Sequence, residues 1–301
     1  MLSNSHSPEP TCYNDIVSVT IIGLGLIGGS IGLALRQGKK SRWEIVGYSR
    51  RKETVAAALS LGAIDRGEAN LREAVSQARL VIIATPVLAI KQILSEIGPY
   101  LRSGCIVTDT GSTKVQVMKW AQGMLPSAVD FVGGHPMAGK ETYGIQSAEA
   151  ELFQKCTYCL TPSDKASAES IDTVIGMVKK LGATPFFIDA QEHDNLVAGI
   201  SHLPILLSAA LVSLTGKSPS WSKMSRLAAS GYHDVTRLAS GNPEVNSHIC
   251  LSNQEAIIDW IDRFGQELDK YRRLVAKGDK RLEQALAEAN RARKEWLKET
   301  K

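Results

Sequence analysis

Residues 17–36 read VSVTIIGLGLIGGSIGLALR. A run rich in β-branched residues, 17–22, stops abruptly at glycine. Gly23, Gly25 and Gly28 then hold the G-x-G-x-x-G spacing. Ile27, Ile31 and Leu35 follow at helical intervals. The stretch therefore reads as strand, tight turn, helix. In that unit Gly23 allows the turn, Gly25 lets a pyrophosphate approach the backbone, and Gly28 lets helix and strand pack closely. The N–H groups that open the helix, Leu26 and Ile27 among them, offer an anion a partial positive charge. A dinucleotide site near the start of the chain is expected.

Outward from this unit, strand and helix alternate. Strands are expected over 43–48, around 63–64, and over 80–84, 105–109, 131–132, 158–161 and 185–188. Helices are expected over 52–61, 71–78, 86–97, from 111 onward, and over 166–181. Residues 80–84, LVIIA, are apolar throughout, as suits a strand covered on both faces of a parallel sheet. The alternation predicts an α/β domain with a doubly wound, mostly parallel sheet over 16–189, preceded by a short polar tail, 1–15. Beyond Asp189 the pattern turns helical over 192–214, 253–276 and 279–297, with a loop-rich stretch over 230–246. Residues 190–301 are expected to form an all-α domain. Its apolar faces, such as Leu196, Ile200, Leu203, Leu206 and Leu207, suit burial against a second subunit. Pro204 should kink the first of these helices and free a backbone carbonyl.

Composition narrows the function. The 301 residues are 44% hydrophobic and 22% charged, with a net charge of +4, too mild and dispersed for a nucleic-acid surface. No run reads as a bilayer span, and the first 15 residues do not read as a signal peptide, so a cytoplasmic protein is expected. The five cysteines, Cys12, Cys105, Cys156, Cys159 and Cys250, are expected as reduced thiols. Cys156-x-x-Cys159 lies in an expected strand and reads as a buried structural pair. His193 and His202 fall on different faces of one helix, and no metal site is expected.

The end of the second strand selects the cofactor. An acidic residue there would hold the ribose 2′-hydroxyl of NAD. This chain has Ser49-Arg50-Arg51. A carboxylate beside a 2′-phosphate would be repelled by about 4 kcal/mol at an effective dielectric near 20, and here that repulsion is absent. Serine can donate to a phosphate and arginine can grip it bidentately, so NADP is expected. The alternative is that Arg50 and Arg51 are solvated charges opening the next helix, a place where cations are unfavourable. Thr85, Pro86 and Thr110, at the ends of later strands, are expected to complete the dinucleotide wall.

Chemistry is expected at the same strand ends. Thr85, Ser112 and His135 should face the nicotinamide crevice. His135 stands between Gly133-Gly134 and Pro136, in what reads as a stiff turn, and an imidazole there can accept a proton near neutral pH. Thr236 and Arg237 fall in the loop-rich stretch, where the guanidinium suits a substrate carboxylate or, equally, a surface ion pair.

Six motifs occur in order: GLGLIGGSIGLAL (23–35), ATPV (84–87), DTGSTK (109–114), GGHPMAG (133–139), HD with SHLP downstream (193–204), and DVTRLASGNPE (234–244). Together they resemble the prephenate/arogenate dehydrogenase family, from about Val17 to Trp260. With Ser49-Arg50-Arg51 the chain looks most like the NADP-dependent arogenate dehydrogenases. The resemblance implies a Rossmann domain followed by a helical dimerisation domain, a homodimer, and oxidative decarboxylation of a cyclohexadienol in tyrosine biosynthesis. It also implies that His135 and Ser112 act at the substrate 4-hydroxyl. His202, Arg237, Thr236 and Gly134 would lie at the substrate, with Arg237 on a carboxylate. One departure is present: many members read HLPH, whereas this chain reads His202-Leu203-Pro204-Ile205. The missing cation favours arogenate, whose side chain carries an ammonium, over prephenate. Two other readings stay open. One is a β-hydroxyacid dehydrogenase, which usually relies on a helical lysine that 192–214 lacks; the other is a non-catalytic NADP sensor.

Overall fold

The computed structural model describes residues 17–37 and 43–299; the expected tail and Cys12 lie outside them. Eight strands form one sheet in the order β3-β2-β1-β4-β5-β6-β7-β8. β1 (Val17–Ile22), β2 (Trp43–Tyr48), β3 (Arg66–Glu68), β4 (Leu80–Ile83), β5 (Ile106–Asp109) and β6 (Asp130–Pro136) are parallel. β7 (Thr157–Pro162) runs antiparallel to β6, and β8 (Thr184–Phe187) runs parallel to β7. The strand order reverses direction between β1 and β4, which places a crevice beyond their carboxyl ends.

Helices cover both faces, as a parallel sheet with buried strands requires. α1 (Leu26–Arg36), α2 (Lys52–Ser60) and α6 (Ala168–Lys180) pack on one face through Ile31, Leu35, Ala58, Val174 and Met177. α3 (Leu71–Ser76), α4 (Val87–Ile97) and α5 (Val115–Met124) pack on the other through Val75, Ile90, Leu94 and Val117. The glycines of the first unit are sterically demanded. Gly23 has φ +96°, and a Cβ on Gly28 would sit 1.9 Å from the Gly23 carbonyl oxygen. A Cβ on Gly32 would sit 2.1 Å from the carbonyl oxygen of Ala63.

Several elements differ from expectation. The strand expected at Ala63-Ile64 lies at Arg66–Glu68 instead. Ala63 and Ile64 are buried ahead of it, and Ile64 fills the space above Gly47. β6 does not stop before the Gly-Gly-His-Pro segment, because β7 pairs with it as far as Pro136. His135 is therefore a strand residue, not a turn residue. α5 starts at Val115, after a loop over 110–114. The stretch 230–246 is mostly helical: α10 (Ser230–Thr236), a 3-10 turn Arg237–Ser240, and α11 (Pro243–Ser252), whose first turn is capped by the Asn242 side chain. Its small polar residues are caps and first-turn residues, which share the composition of loops.

No strand occurs beyond Phe187 among the described residues. α7 (Ala190–Val197), a π turn Ala198–His202 and α8 (Leu203–Gly216) form a continuous run. The π turn precedes Pro204, which has no N–H for the carbonyl of Ile200. α9 (Trp221–Leu227), α12 (Gln254–Ala276) and α13 (Arg281–Glu299) complete the domain. Ala190–Gly216 is long and apolar enough to cross a bilayer by length and composition, against the expectation that no such run exists. Residues 196–213 hold no charge, but Asp194 before them and His202 and Pro204 within them break the visual run. Its buried side carries His193, Asp194 and His202, while Leu196, Ile200 and Leu214 remain exposed.

The glycine geometry gives a contrast. Gly32→Ala is expected to destabilise the protein by about 1–3 kcal/mol, since the clash is with backbone. Gly25→Ala, with nothing within 4 Å of the added carbon, is expected to change stability by less than about 0.5 kcal/mol while weakening dinucleotide binding. Urea denaturation and a dinucleotide titration on both variants check this.

Candidate active site

The crevice beyond β1 and β4 is a groove of two lobes, about 360 and 380 Å³, that share Gly25, Ala84, Thr85, Pro86 and Gly144. The first lobe is walled by Gly23, Tyr48, Ser49, Arg50, Arg51 and Thr54. The second is walled by Leu26, Ile27, Thr110 and Ser112, and by Asn242, Asn246 and Ile249 of the helical domain. The residues fit a dinucleotide. Gly25 caps α1 without a side-chain acceptor and leaves open space where a Cβ would be. The buried Thr85 hydroxyl, on the wall of both lobes, has no hydrogen-bond partner. Arg50 and Arg51 are exposed and form no ion pair with a described carboxylate. Of the expected cofactor residues, only Gly28 lies off the wall, packed beneath the Gly23 carbonyl.

Behind the second lobe is a buried polar cluster built from both domains. Lys114 is fully buried; its Nζ donates to Asp109 Oδ2 and to the Gly134 carbonyl at 2.7 Å. Asp109 Oδ1 accepts from the Gly134 N–H at 3.1 Å. β6 has outrun its pairing with β5 here, which ends at Val132. The Asp109–Lys114 pair takes over that pairing and pins β6 beside His135. From the helical domain, Asp194 accepts from the backbone N–H of Lys114 (2.7 Å) and of Val115 (2.9 Å), capping α5. His193 Nδ1 lies 2.8 Å from Asp194 Oδ1, and His193 Nε2 lies 2.9 Å from His135 Nδ1. Asn253 Nδ2 donates to the Asp194 carbonyl at 2.7 Å and lies 3.3 Å from His202 Nδ1.

Burial pushes His135 well below the ordinary imidazole value, and His193, Lys114 and His202 add to the shift. Burial likewise lowers His202, to about 4, against an upward pull from Asp194; His193 lowers it further and the Ser112 backbone raises it. Both rings are neutral at pH 7. His193 and His202 are nine residues apart, which sets them on opposite sides of a regular helix. The π turn underwinds the run between them, and both end in the same cluster.

The expected site residues separate accordingly. Ser112 and Thr85 lie on the groove wall; His135 is 8% exposed and stands one layer behind it. His202 is fully buried, next to the Ser112 backbone and coupled to His135. Gly134 is enclosed by Asp109 and Tyr158, and its backbone holds the Asp109–Lys114 pair rather than facing the groove. The Thr236 hydroxyl donates back to the Tyr232 carbonyl within its own helix at 2.7 Å and lies off the wall. Arg237 pairs with Glu141, itself a wall residue, so the guanidinium meets a carboxylate of this chain at the groove's edge. The sequence reading missed Asp109, Lys114, His193, Asp194 and Asn253 as parts of one cluster. The Asp-Thr-Gly-Ser-Thr-Lys and His-Asp motifs were the available signals; nothing in either indicates that they meet.

Comparison with known proteins agrees with this architecture. Residues 31–186 match the family described as prephenate dehydrogenase, nucleotide-binding domain, and residues 189–289 match prephenate dehydrogenase, dimerization domain. A prephenate dehydrogenase of Bacillus subtilis is 37% identical over 264 residues, 87% of this chain and 71% of the relative. The crystal structure of Synechocystis arogenate dehydrogenase superposes with a TM-score of 0.78 at 30% identity, covering 93% of this chain and all of that one. Prephenate dehydrogenase from Aquifex aeolicus, in complex with hydroxyphenyl propionate and NAD+, superposes with a TM-score of 0.86 at 28% identity, covering 93% and 98%. With both of its domains matched in order along the chain, this protein belongs to the prephenate/arogenate dehydrogenase family of oxidoreductases.

Proposed function

We propose that the chain is an NADP-dependent arogenate dehydrogenase, converting L-arogenate to L-tyrosine as a cytoplasmic homodimer assembled through the helical domain. The observation that carries the cofactor assignment is the first lobe of the groove. Ser49, Arg50 and Arg51 line it where an acidic residue would otherwise meet the ribose. Two guanidinium groups without described carboxylate partners, beside a serine, suit a 2′-phosphate. Ile205 supports the substrate assignment. It stands where many members carry a second histidine, so the cation that would suit an anionic pyruvyl side chain is absent.

A dinucleotide held along Gly25, Thr85 and Ser49-Arg50-Arg51 would supply the hydride acceptor for C4 of the substrate. This chain's residues handle the rest. His135 receives the proton of the 4-hydroxyl, which requires a neutral ring, and burial keeps it neutral. Ser112, on the groove wall, hydrogen-bonds the same hydroxyl. His202, fully buried against the Ser112 backbone, backs the loop that carries Ser112, and Arg237, at the groove's edge with Glu141, offers a cation for a substrate carboxylate. As C4 gives up its hydride, the bond from the ring to its carboxylate breaks. The electron pair enters the ring, which aromatises as CO₂ leaves, and the phenolate oxygen left at C4 takes the proton back from His135. A second reading, prephenate with NAD, draws on the names of the Bacillus and Aquifex relatives.

A two-by-two steady-state assay, arogenate or prephenate with NADP or NAD, tests the proposal. The highest kcat/KM is expected with arogenate and NADP; a higher value with prephenate or NAD overturns that part of the assignment. Arg50→Ala with Arg51→Ala is expected to raise KM for NADP at least tenfold, the loss of charge-assisted hydrogen bonds worth about 1.5–3 kcal/mol, and to leave KM for NAD unchanged. His135→Asn is expected to lower kcat by about 10²- to 10⁴-fold with NADP binding intact by fluorescence titration.

The buried histidines also give a stability signature. His202 is lowered to about 4 when folded, against about 6.5 unfolded. Its contribution is fully present above pH 6.5 and is lost as pH falls from 6.5 through 4, because the unfolded chain binds the extra proton. Urea midpoints are expected to fall over that window, and to fall less steeply in His202→Asn.

A further inference from the structure

The chain of contacts from Asp194 to His135 has a direction. Both Asp194 oxygens already accept backbone N–H groups, Oδ1 from Lys114 and Oδ2 from Val115, so the carboxylate is fixed and can only accept. His193 Nδ1, 2.8 Å from Oδ1, is therefore the N–H side of that ring. With one proton per ring, His193 Nε2 carries a lone pair, and His135 Nδ1, 2.9 Å away, must donate to it. His135 Nε2 is then left bare. We infer that His193 and Asp194 are positioning residues that hold His135 in its Nδ1–H tautomer, so that Nε2 is the atom that receives the substrate's hydroxyl proton. The role rests on His135 being the base.

The arrangement also explains why the base sits behind the wall. His135 comes from the nucleotide domain, on β6, whereas His193 and Asp194 open the helical domain, on α7. The base acquires its tautomer only when the two domains are docked. Asp194 joins them by capping α5, the helix that follows the loop holding Ser112. When His135 takes the proton, its Nδ1–H stays bonded to His193. The new positive charge then faces a ring already polarised by a carboxylate, the same logic that orients the histidine of a Ser-His-Asp triad.

The test is made on the full-length chain labelled with ¹⁵N-histidine. Long-range ¹H–¹⁵N correlation reads the tautomer of each ring, and the His135 signals are those lost in His135→Asn. Nδ1–H is expected on both His135 and His193; Nε2–H on His135, or a doubly protonated His193, overturns the inference. Asp194→Asn leaves one oxygen for three donors and removes the charge behind His193; with that oxygen at the Oδ1 place, Lys114 N–H and His193 Nδ1–H keep their acceptor and Val115 N–H loses its own. It is expected to lower kcat with KM unchanged and to leave His135 as Nδ1–H. His193→Phe removes the link without touching the cap and is expected to lower kcat similarly. Its result decides the matter should Asp194→Asn fail to fold. Full kcat in His193→Phe, alongside an inactive His135→Asn, overturns the relay and leaves the base in place; an active His135→Asn overturns the base itself.

Discussion

One carboxylate, Asp194, joins the two domains at the point where chemistry is expected. It accepts two backbone N–H groups from the start of α5 and faces the His193 imidazole. A buried acceptor of this kind is costly unless every oxygen is satisfied. Here the donors come from both sides of the interface. The groups that satisfy it are available only in the docked arrangement, so the relative placement of the domains and the placement of His193 are set together. The groove follows from the same docking, since Asn242, Asn246 and Ile249 of the helical domain complete the wall that Gly25, Thr110 and Ser112 begin.

The second constraint is the buried pair of Asp109 and Lys114. Burying an ion pair is rarely a gain in stability by itself, because desolvation offsets the attraction. In this fold the pair has a further task. β5 ends at Asp109 while β6 continues to Pro136, and the pair supplies the hydrogen bonds at Gly134 that β5 no longer can. The catalytic candidate on β6 is thereby held by side chains on the β5 side, while β7 pairs with the strand on the other side. The Lys114 charge also acts on His135, one of several influences that keep the ring neutral.

Much of the nucleotide domain was legible because its signals are local. Gly28 is required by a clash with the Gly23 carbonyl one turn back and Gly23 by its φ of +96°, and the apolar run over 80–83 is required by burial on both faces. Ser49-Arg50-Arg51 could be placed because the end of β2 is adjacent in sequence to its strand. Misreadings fell where a distant partner decides the outcome. β6 continues through Gly133-Gly134 because an antiparallel β7 lies beside it, and a Gly-Gly-His-Pro segment taken alone reads as a turn. The helices over 230–246 rest on caps and on contacts with α8. Thr236 and Arg237 read as polar loop residues, yet one bonds its own helix and the other meets Glu141.

By itself the sequence determined the class of the first domain, the order of its units, the all-helical character of the second and the family. Each follows from periodicity, from glycine sterics or from ordered motifs, which are written locally along the chain. Only the tertiary structure decided which of the polar residues meet. His135, His193, Asp194, Lys114 and Asp109 come from four segments spread between positions 109 and 194, and their spacing in sequence carries no trace of their contact. The π turn before Pro204 is the clearest case. Counting along a regular helix puts His193 and His202 apart, and one underwound turn, forced by a missing N–H, brings them together.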